Sequence, residues 1–552
     1  MDLRRDELGT ADACRVQKLK GMTSLISRRL PAAMALCGLL LGACTASQPS
    51  GTKSQDMMQI PLTSDIRGTN PGVNRDANTD TIMMHVLEGL VGYREDGTPD
   101  LLLADALTVS PDGKRYTFHL REGLVFHNGQ PVTSREVVWS WRRYLDPKTN
   151  WTCLADFDGT RGAKIESVDA IDPLTVSFTL DRPQPLFLTL MAAISCGGGA
   201  VLHPDSVAAD GSWREPISTG PYRISSWVRG RYIDMTAFAG YRPLEGEPDG
   251  NVRGKTPYER HLRWLIIRDA SSRLAALVKG QVDVMPEVPA AEMLQLRRMK
   301  DIRIVAAPML GAYGILVQDR NPLLADLRLR EAIAYSIDRR TLARLVTEDT
   351  ADANPSIVAS ASPFGVSADT AEALFDPARA RALLKAAGYR GQPIVLTTNR
   401  RYPAMFNQAL LVQAMARQVG LNIKIEVLEW ATQMDRWRSG DFQLLSFGFS
   451  AKADAAQSYE SILGDRDASP GKTWGDPEAR RLLAESMMTA DMAERRKIFS
   501  KLHSEMLHDV PFIGLFSPAD TNAIRDGVTG FRSWQFGRAR FWGVRRNGTP
   551  AS

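Results

Sequence analysis

The stretch from Leu103 to Pro147, LADALTVSPDGKRYTFHLREGLVFHNGQPVTSREVVWSWRRYLDP, constrains the fold more than any other part of the chain. Tyr116, Phe118 and Leu120 alternate with Thr117, His119 and Arg121, the period-two pattern of a strand with one buried face. Asp112-Gly113 before it and Asn128-Gly129 after it are turn pairs. Pro131 and Thr133-Ser134 then lead into Val137, Val138, Trp141 and Tyr144 at helical spacing. A strand, a turn and a capped helix are expected in that order.

The rest of the chain adds alternating helix and strand signals. Thr175 to Leu180 reads as a strand bounded by Asp172-Pro173 and Pro183, and Leu262, Trp264 and Ile266 alternate as another. Ile82, Val86, Leu87 and Leu90 fall on one helical face, as do Leu329, Ala332, Ile333, Ile337, Leu342 and Leu345. Asp376-Pro377 opens a further helix with proline in its first turn. Ala409, Val412, Ala416 and Val419 form a helix stopped by Gly420, and Ile423, Ile425 and Val427 form the strand after it; a second strand is expected from Phe442 to Phe449. Helix followed by strand across a short glycine turn is the grammar of an α/β protein. With 552 residues, 44% of them apolar and 24% charged, the chain exceeds one compact core, so two or three lobes are expected. A net charge of +5, with no long Lys/Arg run, argues against nucleic acid as a partner.

The N-terminus reads as an export signal. Arg28-Arg29 precede an apolar run from Leu30 to Leu41, about a dozen residues and too short to cross a bilayer of roughly 30 Å as a helix. Residues 1–21 make a long lead, and Met22 is an alternative start. Residues 45–56, TASQPSGTKSQD, have the small polar composition of a tether. Beyond this segment, Cys153 and Cys196 form either one disulfide or two separate buried thiols. No C-x-x-C or H-E-x-x-H pattern occurs, the seven histidines are scattered with His503 and His508 the nearest pair, and no nucleophile elbow is complete. No enzyme activity, metal or cofactor is expected. Gly197-Gly198-Gly199 lacks the context of a phosphate cradle and reads as a turn.

Three ordered motifs carry a family resemblance. The pattern Asp-Gly-x-x-Tyr-Thr-Phe-x-Leu-Arg-x-Gly-Leu-x-Phe-His-x-Gly-x-Pro-Val-Thr, from Asp112 to Thr133, resembles a segment of the family 5 extracellular solute-binding proteins, the peptide, opine and nickel receptors of ABC importers. Ser218-Thr219-Gly220-Pro221-Tyr222 resembles the family's Gly-Thr-Gly-Pro-Tyr, and Leu277 to Asp283 its Leu-x-x-Gly-x-Val-Asp. Leu41-Gly42-Ala43-Cys44 resembles a bacterial lipobox, which makes Cys44 a lipid anchor; a plain signal-peptidase site with an incidental cysteine is the alternative.

The resemblance implies a two-lobed periplasmic-binding-protein fold of type II, α/β, with an extra inserted subdomain. Its expected layout is a signal peptide over 1–43, a tether over 44–56, a first lobe from 57–91, 217–307 and 512–552, an insert over 92–216, and a second lobe over 308–511. It also implies a monomeric periplasmic lipoprotein that captures a peptide or peptide-like solute for ABC permease subunits. A nickel or haem receptor of the same fold, or a non-catalytic envelope lipoprotein, are the alternatives. In peptide-binding members an Asp after a Gly-Trp-x-x segment takes the ligand's ammonium and an Arg in an earlier loop takes its carboxylate. Here the segment resembles Gly448 to Ala455, with Phe449 in place of Trp and Lys452 at the Asp position; a short slip would give that role to Asp454. Arg400 is the better match to the Arg. Tyr459, like Trp430, Trp437 and Trp474, could stack on a ligand or serve the core. Lys452 and Arg400 together would suit an anionic solute and disfavour a free N-terminus.

Overall fold

The computed structural model describes residues 57–547 apart from 367–369, 371 and 372. The export signal, Cys44 and the tether lie outside the described residues. Strand Arg115–Leu120 buries Tyr116, Phe118 and Leu120 as its alternation dictates. Helix Ser134–Leu145 starts at a capping box: the Thr133 backbone N–H donates to Glu136 Oε2 at 2.9 Å, while the Thr133 hydroxyl caps the first turn. Its Val137, Trp141 and Tyr144 face a four-stranded antiparallel sheet, in the order Ala104–Val109, Arg115–Leu120, Thr175–Leu180 and Ile165–Ala170. Trp141 packs edge-on against Phe157 and Phe178. Beside this subdomain Cys153 and Cys196 are joined in a disulfide, with Cα atoms 5.7 Å apart.

The first lobe carries two sheets. One runs Met58–Leu62, His261–Ile266, Tyr232–Ala237 and Tyr222–Val228, the first pair parallel. The other runs Val284–Met285, Ala519–Arg525 and Ile302–Pro308. The second lobe is built on a five-stranded sheet ordered Ile423–Val427, Ile394–Thr398, Leu444–Phe449, Ala312–Val317 and Phe512–Phe516. Its strands Ile394–Thr398, Leu444–Phe449, Ala312–Val317 and Phe512–Phe516 are buried almost throughout, as in a sheet covered on both faces, while the edge strand Ile423–Val427 alternates apolar and charged residues.

Two strands pass from one lobe to the other side by side. Ile302–Pro308 leads into Ala312–Val317, and Phe512–Phe516 leads into Ala519–Arg525. Between them the Met309 N–H donates to the Pro518 carbonyl at 2.8 Å. A pair of short crossings held by one backbone bond is a hinge geometry.

Three expectations are corrected. The helix expected to reach Leu90 spans only Ala77–Met83, because the carbonyls of His85 and Val86 turn away to accept from the N–H groups of Tyr222 and Gly220. That docking also explains Gly220: a Cβ there would stand 2.6 Å from the Val86 carbonyl. The boundary expected at residue 512 falls later, since Phe512–Phe516 pairs with Ala312–Val317 in the second lobe's sheet. The helical face expected from Leu329 to Leu345 is two helices, Leu327–Tyr335 and Arg339–Thr347, divided where the Asp338 side chain caps the second; Leu345 points to solvent.

Candidate ligand-binding cleft

The cleft beside the hinge has a volume of about 720 Å³ and takes its walls from both lobes, within the size range of small-molecule sites. The second lobe contributes an aromatic wall. Tyr402, at the start of helix Pro403–Gln418, is fixed by its N–H donating to Asn399 Oδ1 at 2.9 Å, and its ring meets Trp430 edge-on at 4.8 Å. Tyr313 stacks on Phe516 at 4.9 Å, and a Cβ at Gly448 would lie 2.6 Å from the Tyr313 ring. Glycine at 448 is what lets the tyrosine lie flat along the wall. Phe449 ends strand Leu444–Phe449, and the following loop is pinned by the Lys452 N–H donating to the Leu310 carbonyl at 2.9 Å.

Charges on the walls are of both signs. From the second lobe comes Lys452; from the first come Arg75, Asp80, Glu287, Asp520 and Arg538. Arg75 Nε donates to Asp80 Oδ1 at 2.8 Å, and burial raises the Asp80 carboxyl while Arg75 opposes that shift. Asp520 accepts from the Trp534 N–H at 2.9 Å, and its burial pushes the carboxyl up to about 6. Burial pushes the Lys452 ammonium below the usual lysine range, and among the described residues no carboxylate stands within ion-pair distance of it.

Of the residues singled out by sequence, Lys452 and Phe449 line the cleft. Asp454 does not: it caps helix Ala455–Glu460 and is gripped by Arg495 through two hydrogen bonds, of 2.7 and 2.8 Å, so its carboxylate is committed to the fold. Tyr459 is buried with its ring stacked on Phe499 and belongs to the core. Arg400 is exposed and lies over the Phe406 ring at 4.3 Å, outside the cleft, although Tyr402 two residues later lines it. Trp430 lines the cleft, whereas Trp437 packs on Phe447 and the Trp474 N–H donates to Asp509. Sequence reasoning missed Arg75, Asp80, Asp520 and Arg538. The Arg75-Asp76 pair ahead of a helix is the one local signal that could have pointed to the first two.

Two other features have the residue types of a site but none of its free chemistry. A surface cavity of about 480 Å³ on the second lobe is charged, but its groups are engaged with one another, Arg466 with Asp319 and Arg320 with Asp467 at 2.6 Å. Among the described residues, Cys153, Asp156 and Cys196 form the one group close enough to hold a metal, and both sulfurs are taken by the disulfide.

Comparison with known proteins agrees with this architecture. The profile of the bacterial extracellular solute-binding proteins, family 5, matches residues 98–470. The di/tripeptide-binding protein 4 of Pseudomonas aeruginosa is 28% identical over 91% of this chain and 96% of that protein. The dipeptide-binding protein of Escherichia coli is 24% identical over 86% of this chain and 92% of its own length. Among solved structures, the ABC transporter substrate-binding protein CtaP of Listeria monocytogenes superposes with a TM-score of 0.78 at 20% identity, covering 89% of this chain and 99% of that one. With the two-lobed fold, the hinge and the interlobe cleft in place, the chain belongs to the family 5 bacterial extracellular solute-binding proteins, the non-catalytic periplasmic receptors that serve ABC importers.

Proposed function

We propose that this receptor captures a peptide-like solute bearing an acidic group, holds it against Lys452 in the interlobe cleft, and presents it to its permease from a lipid anchor at Cys44. The observation that carries the reading is the contrast at one loop: Lys452 lines the cleft as a partly buried cation with no carboxylate in ion-pair distance among the described residues, Glu460 and Asp156 acting on it only from farther off, while Asp454 is bound to Arg495. A free peptide N-terminus placed at Lys452 would meet like charge in a desolvated site, which is unfavourable. An N-blocked peptide or another acidic, peptide-sized compound meets a cation there. The similarity to a di/tripeptide-binding protein supports a ligand of that size, and the aromatic wall of Tyr402, Trp430 and Phe449 offers apolar area to its body.

A thermal-shift series tests the reading. Free dipeptides and tripeptides, the same peptides N-acetylated, and anionic sugar esters are compared at equal concentration, because a ligand of the folded form raises Tm in proportion to ln(1 + [L]/Kd). The N-acetylated acids or the sugar esters are expected to give the larger rise. Tight binding of ordinary free dipeptides, with no gain on acetylation, would overturn it. The lipid anchor is checked separately by mass spectrometry of the processed N-terminus, which should begin at a diacylglyceryl-modified Cys44.

A further inference from the structure

The second-lobe cation of this site has counterparts on the first lobe, and the inference that follows rests on the reading just given. Arg75 lies just ahead of helix Ala77–Met83, and Arg538 follows Gly537 in the C-terminal loop. Both line the cleft that Lys452 enters from the other side. A single carboxylate, Asp80, serves the two arginines. Arg75 is its full partner, with Nε at 2.8 Å from Oδ1 and a second contact from Nη2 to Oδ2. Arg538 is not: its Nη2 stands 3.7 Å from Asp80 Oδ2, beyond hydrogen-bond length, and its Nη1 donates to the Gly537 carbonyl at 2.8 Å. Arg75, Asp80 and Arg538 sum to one positive charge, while Glu287 and Asp520, also of the first lobe, bring negative charge to the same cleft. Lys452 adds a positive charge from the second lobe; Glu460 and Asp156 favour its charge from a distance, while Arg161 and Arg75 oppose it.

Two partly desolvated positive groups approaching from opposite lobes oppose closure, and an anion between them reverses the sign of that interaction. We propose that the ligand's acidic group bridges Lys452 of the second lobe and Arg538 of the first, so that the anion itself is what draws the lobes shut. A carboxylate or a phosphate monoester satisfies this chemistry, with Arg538 donating two hydrogen bonds and Lys452 a third. Glu287 and Asp520 line the same cleft, so a second anionic group on the ligand is disfavoured.

The experiment uses four probes on the folded receptor: N-acetyl-Ala-Ala, its C-terminal amide, glucose 6-phosphate and glucose. Calorimetric titration gives Kd, and small-angle scattering gives the radius of gyration with and without each probe. At least one of the two anions is expected to bind and to compact the protein, with its neutral counterpart about tenfold weaker or more, and which anion binds identifies the acid as carboxylate or phosphate. Arg538→Gln and Lys452→Gln should each weaken the anion about tenfold and leave the neutral probe unchanged, and the double variant should lose less than the product of the two. Arg538→Gln keeps the Arg75–Asp80 pair, so the cleft wall retains its main ion pair. If neither anion binds the unmodified protein, the acidic-solute reading itself fails. If an anion binds but the neutral counterpart binds equally, or Arg538→Gln stays within twofold, or binding brings no compaction, the two-lobe bridge is wrong while the acidic-solute reading stands.

Discussion

Asp454 and Lys452 leave one loop two residues apart and meet opposite fates. Asp454 turns inward, caps a helix and accepts two hydrogen bonds from the buried Arg495 guanidinium, whose Nε donates to the Ser486 carbonyl. Lys452 turns toward the cleft, where burial lowers its pKa and no carboxylate is in ion-pair reach among the described residues. A second fully paired charge lies under the first lobe: Lys255 Nζ donates to Glu88 Oε1 at 2.7 Å, with both side chains only 1% exposed. Glu88 also accepts from the Tyr241 and Thr219 hydroxyls, and the Lys255 ammonium stands 4.9 Å from the Trp542 ring centroid. The buried charges of Asp454 and Lys255 are matched by opposite charges within the chain, whereas Lys452 has no carboxylate in ion-pair distance among the described residues.

Breaking a matched pair should have the largest effect on stability. Glu88→Ala leaves Lys255 buried without a counter-ion and two hydroxyls without their acceptor, and should cost about 3–5 kcal/mol in urea unfolding. Asp454→Ala, which strands Arg495, should fall in the same range. A loss below about 1 kcal/mol in both would mean that water reaches these sites and that the contrast with Lys452 is not one of burial. Next in size is the disulfide. Cys153 and Cys196 are 43 residues apart, and the chain-entropy description gives roughly 3–4 kcal/mol for closing such a loop. Reduction by dithiothreitol, or Cys153→Ser, should lower Tm by that equivalent, measured calorimetrically, without changing the ligand affinity of the folded protein.

The order of these effects bears on what could be read from the sequence. Strand Arg115–Leu120 and helix Ser134–Leu145 were legible because side-chain alternation and a capping box are local. The helix after Ala77 was overextended because its end is decided by Gly220 and Tyr222, far along the chain, which take the His85 and Val86 carbonyls. The strand Phe512–Phe516 was assigned to the wrong lobe for a similar reason: its sequence is apolar throughout, and only pairing with Ala312–Val317 fixes its sheet. In the site, Lys452 and Phe449 were found by their place after a recognisable strand. Arg400 lies outside the cleft, because loop residues have no period to fix their direction, and its neighbour Tyr402 lines the cleft instead. Arg75 and Arg538 come from opposite ends of the chain and meet only around Asp80.

Asp520 offers an intermediate case, a buried acid on the cleft wall with no cation in ion-pair distance among the described residues. Its carboxyl is raised to about 6 in the folded protein against 3.8 ordinarily, so the folded form binds a proton more readily than the unfolded chain does. The stabilising contribution is complete below the unfolded value and is lost as pH rises through the folded one, a window from roughly pH 4 to pH 6. At pH 7 the ionised group therefore costs about 2–3 kcal/mol, and Asp520→Asn, whose amide oxygen can still accept from the Trp534 N–H, should recover much of it. Urea unfolding of the two proteins at pH 4 and pH 7 checks this; a stability difference independent of pH would place the effect in packing rather than in ionisation.

The smallest effect on stability is expected at Lys452, and it carries the most about function. The ammonium is partly desolvated and has no carboxylate in ion-pair distance among the described residues, so replacing it by a side chain of similar length and no charge relieves its desolvation and breaks no close ion pair. Lys452→Met should thus change unfolding free energy by no more than about 1 kcal/mol, with a gain as acceptable as a small loss. Affinity for an acidic probe, followed by calorimetry in low salt and again at 0.5 M NaCl, should fall about tenfold in the variant, and its salt dependence should flatten, because the charge giving rise to that dependence is gone. The two measurements separate the roles cleanly. Stability lost in step with affinity would make Lys452 a structural cation like Lys255 and erase the distinction between the two regions; affinity lost alone assigns it to the ligand.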